Sequence, residues 1–411
     1  MVGYCKKKGS LEPIQGRPQT GPCGHVSESI LLRISSYRAI HPNWSAATIR
    51  QELALSDSCE EQQLPSVRSI NRYLSFQKLT KEYGKNRPLG TGAPPVPTFI
   101  HECWQMDDKG PERYGGVGHV GVINIKDGYS GVHVQSFGVP LPHTRSHPTM
   151  SDYQCALRLS FMEFGLPKRV QADHGSNFYE NRCKSPFPTP LHLWLLGMGI
   201  HLDWSRTYRP TDQSKVERSH QTMHNQMVCT KDYKDMEHFQ QQLNERRHRL
   251  NYHLPCATNN GKPPLVAFSQ AKHSGQYYNP ALEESRFDEL NIIQYLIGKE
   301  WFRKLSANNT ISLGGNVHYV PKVKPNRELR VTVEAKCDLS TKQHITNLLF
   351  FDVNEQVASV PLAGINFDAL AGEDFIMSLK NTQLQLPFEW TQIRNKYTTF
   401  CPVSSTRLSG R

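Results

Sequence analysis

Residues 84–98 carry four prolines in a short span, Pro88, Pro94, Pro95 and Pro97. Each lacks a backbone N–H and holds φ near −65°, so such a stretch neither continues a helix nor sits inside a sheet. It reads as an extended linker. It also divides parts of the chain with different hydrophobic periods, helical before it and alternating after it. A chain of 411 residues is too long for one ordinary core as well. The sequence therefore predicts a multidomain protein.

Ahead of the linker, residues 1–24 include Lys6-Lys7-Lys8 and Gly16-Arg17-Pro18 and read as a basic flexible arm. Residues 25–83 hold three helical patterns. The first carries Val26, Ile30, Leu31, Ile34 and Tyr37 and stops at His41-Pro42. The second starts with Ser45 as N-cap and continues through Ile49, Leu53 and Leu55. The third follows Pro65-Ser66 and carries Val67, Ile70, Tyr73 and Leu74. Short helices with a compact turn between the last two predict an all-α helix-turn-helix domain. Arg68, Asn71 and Arg72 are left off the apolar face of the third helix and are its candidate DNA-binding residues. The plainer alternative is a small helical domain with a solvated basic face.

Residues 99–255 change pattern. Strands are predicted over 102–108, 118–126 and 132–137, the last two joined by the turn Asp127-Gly128-Tyr129-Ser130. A helix over 149–164, a strand ending at Ala172, a helix over 190–198, a strand from Ile200 to Trp204 and a long helix from near Asp212 follow. A second helix is predicted from Met236 to Tyr252. Three strands followed by alternating helices and strands make an α/β fold with a mixed sheet, compatible with a ribonuclease-H-like core.

Asp107 falls at the end of the first strand, Asp173 just past the fourth, and Glu217 in the first turns of the long helix. Carboxylates gathered from strand ends and a neighbouring helix repel one another unless a cation neutralises them. Oxygen-only ligands suit Mg²⁺ or Mn²⁺. Each acid alone has an ordinary explanation: a strand end, a turn residue before His174-Gly175-Ser176-Asn177, a helix-surface acid. Asp108 is an alternative to Asp107, and strand neighbours face opposite ways, so only one of the two points at the site. Lys215, Arg218 and His220 follow on the helix of Glu217 and are candidates to hold phosphates. Their alternative is a solvated basic face. Arg246, Arg247, His248 and Arg249 on the next helix leave the same two readings open.

Taken together, three blocks are specific. Trp104-Gln105-Met106-Asp107, Asp173-His174-Gly175-Ser176-Asn177-Phe178 and Arg209-Pro210-Thr211-Asp212-Gln213-Ser214-Lys215-Val216-Glu217-Arg218 resemble the catalytic blocks of bacterial insertion-sequence transposases with an integrase-type core, of the retroviral integrase superfamily. The resemblance implies a DDE transposase that cuts at transposon ends and joins the freed 3′-hydroxyl to target DNA. It implies Asp107, Asp173 and Glu217 as catalytic and metal-binding residues, with Mg²⁺ as cofactor and Mn²⁺ as a substitute. It favours Asp107 over Asp108, because the acid directly follows the Trp-Gln-x unit. Double-stranded DNA and a homo-oligomer assembled on it are the implied partners. His174 stands where such proteins often carry Asn, and Ser214 where they often carry Gly. Glu217 also lies further from Asp173 than in retroviral integrases, with the extra length placed around Lys184 to Pro190. A further helix-turn-helix often precedes the linker in related transposases, and this sequence begins at the linker.

Beyond a connector at 256–300, short strands at 310–313, 316–320, 329–335, 347–353 and 356–361 predict a small β-barrel over 301–370. Its start is basic, with Arg303, Lys304, Lys322, Lys324, Arg327 and Arg330. Residues 371–411 read as a polar tail. The net charge of +11 suits a polyanionic partner. The ten cysteines include no Cys-x-x-Cys pair, which argues against a zinc ribbon or a disulfide framework. No apolar run of about 18 residues is present to span a membrane, and no secretory signal is visible in the first twenty residues. These features predict a cytoplasmic, nucleoid-associated protein. The competing readings are a non-catalytic DNA-binding transposase remnant and a ribonuclease-H-type nuclease that cuts without joining.

If the third helix reads DNA, Arg68→Ala with Arg72→Ala weakens duplex binding. Each lost phosphate contact lowers the slope of log K against log salt by about 0.9, so the pair should lower it by roughly two. A salt titration of binding checks this.

Overall fold

A computed structural model describes residues 23, 26–42, 44–56, 64–80, 96–143, 145–181, 183–205, 214–227, 232–321, 323–337, 344–372 and 375. Nearly all of the expected basic arm, the linker through residue 95, residues 209–213 of the third acidic block, Lys322 and the tail from 376 lie outside the described residues. So does the side chain of Lys215. The chain divides into two compact units, residues 1–88 with 253–255, and residues 89–252 with 256–411.

The first unit contains α1 (Glu28–Ile40), α2 (Ala46–Ala54) and α3 (Val67–Phe76). The Ser45 hydroxyl accepts from the Thr48 N–H at 3.0 Å, and the Ser66 hydroxyl from the Ser69 N–H at 3.2 Å. Both serines thus satisfy a donor that a helix start leaves open. Ile30, Ile34, Trp44, Ile49, Leu53, Leu64, Ile70 and Leu74 form one buried core. The expected turn between the last two helices falls mostly on residues 57–63, which lie outside the described residues. Residues 55–66 separate α2 from α3. Arg68, Asn71 and Arg72 are exposed on one side of α3, because Ile70 and Leu74 take its buried side.

The second unit is built on a five-stranded mixed sheet in the order β3-β2-β1-β4-β5. Its strands are β1 (Cys103–Tyr114), β2 (Gly118–Asp127), β3 (His133–Pro140), β4 (Arg169–Ala172) and β5 (His201–Trp204). β1 pairs antiparallel with β2, and β2 with β3. β4 runs parallel to β1 and to β5. The turn after β2 is held by Asp127, whose carboxylate accepts from the Ser130 N–H at 2.8 Å and hydroxyl at 2.6 Å. The first strand is longer than its sequence suggests. Lys109 to Tyr114 continue past a bulge on their pairing with β2, so Asp107 lies mid-strand rather than at a strand end.

Helices cover both faces of this sheet. α4 (Met150–Phe164) opens with a capping box between Thr149 and Asp152. Its Phe161 stacks between Trp104 of β1 and Trp194 of α5 (Pro190–Gly197). On the other face lie α6 (Ser214–Gln226) and α7 (Met236–Tyr252). Gln240 of α7 pairs with the edge strand β3: its amide oxygen accepts from the Gly138 N–H at 2.8 Å, and its amide nitrogen donates to the Ser136 carbonyl at 2.9 Å. Arg247, one of three arginines expected on a DNA-facing or solvated stripe, is turned inward. It donates to the Val134 carbonyl and forms an ion pair with Glu163.

The connector forms short helical turns and α8 (Glu289–Leu296). Where the barrel is expected, β6 (Glu300–Lys304), β9 (Glu328–Cys337), β10 (His344–Asp352) and β11 (Glu355–Pro361) form an antiparallel sheet in the order β11-β10-β9-β6. β7 (Thr310–Leu313) and β8 (Asn316–Tyr319) form a separate hairpin. Apolar residues of these strands merge into the core of the five-stranded sheet. Trp301 packs on Phe187 and donates to the Pro186 carbonyl at 3.1 Å. The basic start of the module is largely neutralised. Arg303 pairs with Glu180, Arg327 with Asp352 and Arg330 with Glu300. Lys304, Lys324 and the paired Arg327 are its exposed cations among the described residues.

One buried node ties the module to the sheet. Arg158 of α4 donates to both oxygens of Glu283 at 2.8 and 2.7 Å and to the Ala371 carbonyl at 2.9 Å. Glu283 also accepts from Trp194 Nε1 at 3.0 Å and from the Tyr278 hydroxyl. Removing one partner leaves an uncompensated buried charge. Arg158→Leu is therefore expected to cost about 3–5 kcal/mol in urea unfolding, and Arg158→Leu with Glu283→Leu less than the sum of the two single changes.

Candidate active site

The parallel pairing of β1 with β4 sets the site. Gln105 stands opposite Gln171, and the Gln105 amide donates to the Gln171 amide oxygen at 3.2 Å, so both side chains share one face. Side chains in a strand repeat every two residues. Two steps further, Asp107 and Asp173 emerge on that same side, Asp173 just beyond the last residue of β4. In the antiparallel direction Asp107 is opposite Asn124, and Asn124 is opposite Ser136. A polar row thus crosses three strands.

Asp108 points to the other face, toward α4. It accepts from the Tyr153 hydroxyl and lies 3.3 Å from His147 Nδ1. Burial and the neighbouring Asp108 charge both push the Tyr153 hydroxyl well above its usual range. Asp107 and Asp108 thus face opposite sides of the sheet.

Asp173 begins a tight turn. Its Oδ1 accepts from the Gly175 N–H at 2.8 Å. A side chain at Gly175 would start only 2.9 Å from that oxygen, so the carboxylate would have to shift to admit one. Phe178 is buried against Tyr153, and its carbonyl accepts from Trp204 Nε1 at 3.0 Å. The Asn177 amide donates to the Pro148 carbonyl at 3.0 Å. These contacts fix the loop that presents Asp173.

Glu217 lies in the first turn of α6, where the helix dipole favours an acid. Val216, Ser219, His220 and Met223 turn inward, which leaves Glu217 and Arg218 exposed. His224 anchors the helix to β1 through Glu112, at 2.8 Å. His220, expected among the phosphate-holding residues, is not on the outer side. It is buried, with Nε2 3.1 Å from Asp107 Oδ2 and Nδ1 2.8 Å from the Asn124 amide nitrogen. The helical period decides this, since residue 220 falls on the inward side that Val216 and Met223 define.

The three acids interact electrostatically. Asp173 is raised above its ordinary pKa by burial, against the lowering effect of the Gly175 N–H, and further by the charges of Asp107 and Asp108. Glu217 is raised by partial burial and by the charge of Asp107. Asp107 thus acts on both others. Among the described residues no three His, Cys, Asp or Glu side chains stand together as a ready metal-holding group. The donors present are carboxylate oxygens, the type that hard divalent cations take.

No family model matches the chain. Solved structures similar to it include three from retroviral proteins. A chain from the simian T-cell lymphotropic virus intasome in complex with PP2A regulatory subunit B56 gamma is 13% identical. That match covers 76% of this chain and 96% of the other, with a TM-score of 0.34. The catalytic core domain of BIV integrase is 14% identical, covering 42% and 95%, with a TM-score of 0.28. The HTLV-2 integrase catalytic core domain in complex with magnesium is 14% identical, covering 41% and 95%, also with a TM-score of 0.28.

Asn124 and Ser136 are site neighbours that sequence reading missed. A signal was present for Asn124, a polar residue between apolar ones in a strand (Ile123-Asn124-Ile125), but not for Ser136, which follows another polar residue, Gln135.

Raised carboxylate pKa values set a sign. Between the ordinary and the raised value the folded state binds more protons than the unfolded, so metal-free stability falls as pH rises through that window. Asp173→Asn and Glu217→Gln should each raise the melting temperature without metal at pH 7, by about 1–3 °C. The gain should vanish below the ordinary carboxylate range, where the native acids are protonated. Melting followed by circular dichroism in chelator, at both pH values, checks this.

Proposed function

We propose that this protein is a divalent-metal-dependent DNA strand transferase, and in its finer detail a DDE transposase of the insertion-sequence type. The observation that carries the reading is the β1–β4 register, which brings Asp107 beside Asp173 on the face that α6 covers with Glu217. The charge of Asp107 raises the pKa of both Asp173 and Glu217, a repulsion that a bound cation would relieve. Asp107, Asp173 and Glu217 would hold Mg²⁺, or Mn²⁺ in its place. Exposed Glu217 is the member whose rotamers are free to close the set. When bound, such ions activate the attacking oxygen and stabilise the leaving 3′-oxygen.

The chain's own residues do the rest. Arg218, exposed beside Glu217, takes a phosphate of the bound strand, and Lys215 on the same helix is proposed with it. Arg68, Asn71 and Arg72 on α3 hold the transposon end, by phosphate and base-edge contacts. Water attacks a phosphodiester at that end and leaves a 3′-hydroxyl and a 5′-phosphate. The freed hydroxyl then attacks a target phosphodiester, whose own 3′-oxygen departs. No covalent enzyme intermediate is needed. Two ends must be held at once, so the active form is a homo-oligomer on DNA.

Purified protein with Mg²⁺, terminal-repeat DNA and a target plasmid should give joined product. Asp107→Asn, Asp173→Asn and Glu217→Gln should each abolish joining and leave duplex binding unchanged. Cleavage without joining would mark a nuclease, and binding alone a regulatory remnant. Joining retained in one variant removes that residue from the triad.

A further inference from the structure

A single file of hydrogen bonds runs from the edge of the sheet to the first acid. The Ser136 hydroxyl on β3 donates to the Asn124 amide oxygen on β2 at 2.7 Å. With its oxygen held there, Asn124 turns its amide nitrogen to His220 Nδ1 on α6, 2.8 Å away. That nitrogen only donates, so Nδ1 accepts and carries no proton. The ring proton then sits on Nε2, which faces Asp107 Oδ2 on β1 at 3.1 Å. A carboxylate only accepts, so the two ends of the file agree on the same tautomer. Asn124 and Ser136 are fully buried and His220 nearly so.

An inward histidine on a helix is commonly a core residue with its polar atoms satisfied. Two features separate this one from that case. Its outer bond ends on Asp107, and it lies one helical turn beyond Glu217. The bond therefore fixes α6 against β1 at the level of the two acids that these elements carry.

We propose that His220 is a positioning residue. As a neutral Nε2–H donor, aligned by Asn124 and Ser136, it sets the orientation of the Asp107 carboxylate and the placement of Glu217 relative to it. The second lone pair of Oδ2 is left for a divalent cation. Groups that orient metal-ligating side chains in this way typically change metal affinity by roughly ten- to a hundred-fold when removed. The inference rests on the reading of Asp107 as a metal ligand.

The test is direct Mn²⁺ binding to the full chain, followed by the paramagnetic resonance signal of free Mn²⁺, with no turnover required. His220→Ala should weaken binding roughly ten- to a hundred-fold. His220→Gln keeps an amide donor for Asp107 and should recover most of that loss. Ser136→Ala, which removes only the group that orients Asn124, should weaken binding in the same direction by less, and it serves if His220→Ala does not fold. Equal Mn²⁺ binding by wild type, His220→Ala and Ser136→Ala overturns the positioning role while the metal site stands. His220→Gln as weak as His220→Ala, at equal melting temperature, overturns the hydrogen bond as its basis. Wild type that binds no Mn²⁺, or Asp107→Asn that binds as tightly as wild type, removes the metal-site reading and this inference with it.

Discussion

The parallel pairing of β1 with β4 is the constraint on which the rest depends. Two glutamine side chains, Gln105 and Gln171, join across it on the face that bears the acids. A slip of one residue in that pairing would send Asp107 to the side of α4, where Tyr153 and His147 now hold Asp108. The apolar partners of the same strand, Trp104 and Met106, would move to the opposite face with it. Packing of Trp104 on Phe161 therefore guards the register from one side of the sheet, and the paired amides guard it from the other. Site and core are two faces of one alignment.

That alignment carries an electrostatic cost. Asp107 raises the pKa of both Asp173 and Glu217, so the acids resist being ionised together. The surroundings compensate in part. The Gly175 N–H supports Asp173, the Asp108 N–H and His220 support Asp107, and the start of α6 supports Glu217. None of these supports carries a fixed positive charge. They orient the carboxylates, and both Asp173 and Glu217 remain raised above their ordinary pKa.

Much of this was legible in the sequence, for reasons that particular residues show. Ser45 and Ser66 mark helix starts because a hydroxyl at that position meets an open N–H whatever the tertiary setting. The hairpin of β2 and β3 was readable from Asp127 to Ser130, since turn chemistry is local. Register is not local. Nothing in Trp104 to Asp107 says how far β1 extends, and its continuation to Tyr114 depends on pairing with β2. The inward turn of His220, Arg247 and Arg303 was hidden for a similar reason. Basic side chains on polar helices and strands read as surface until a carboxylate or carbonyl from a distant element is brought to them, as Glu163 is to Arg247 and Glu180 to Arg303. The same holds for the C-terminal strands, whose period predicted a small barrel of their own. They pair as an open sheet and a hairpin, and their apolar sides run into the core beside Phe187.

The ion pair of Arg158 with Glu283 bears on how such a chain can be rearranged over evolution. Its acid comes from the connector, its base from α4, and a third contact from Ala371, after the last strand. The C-terminal strands are consequently no interchangeable cassette. A recombination event that replaced them at residue 300 would keep Glu283 but discard the carbonyl that caps Arg158. One that cut before residue 283 would strand the guanidinium in an apolar interior. A joint anywhere between Arg158 and Ala371 separates members of this node, so α4 and the C-terminal annex must be inherited together.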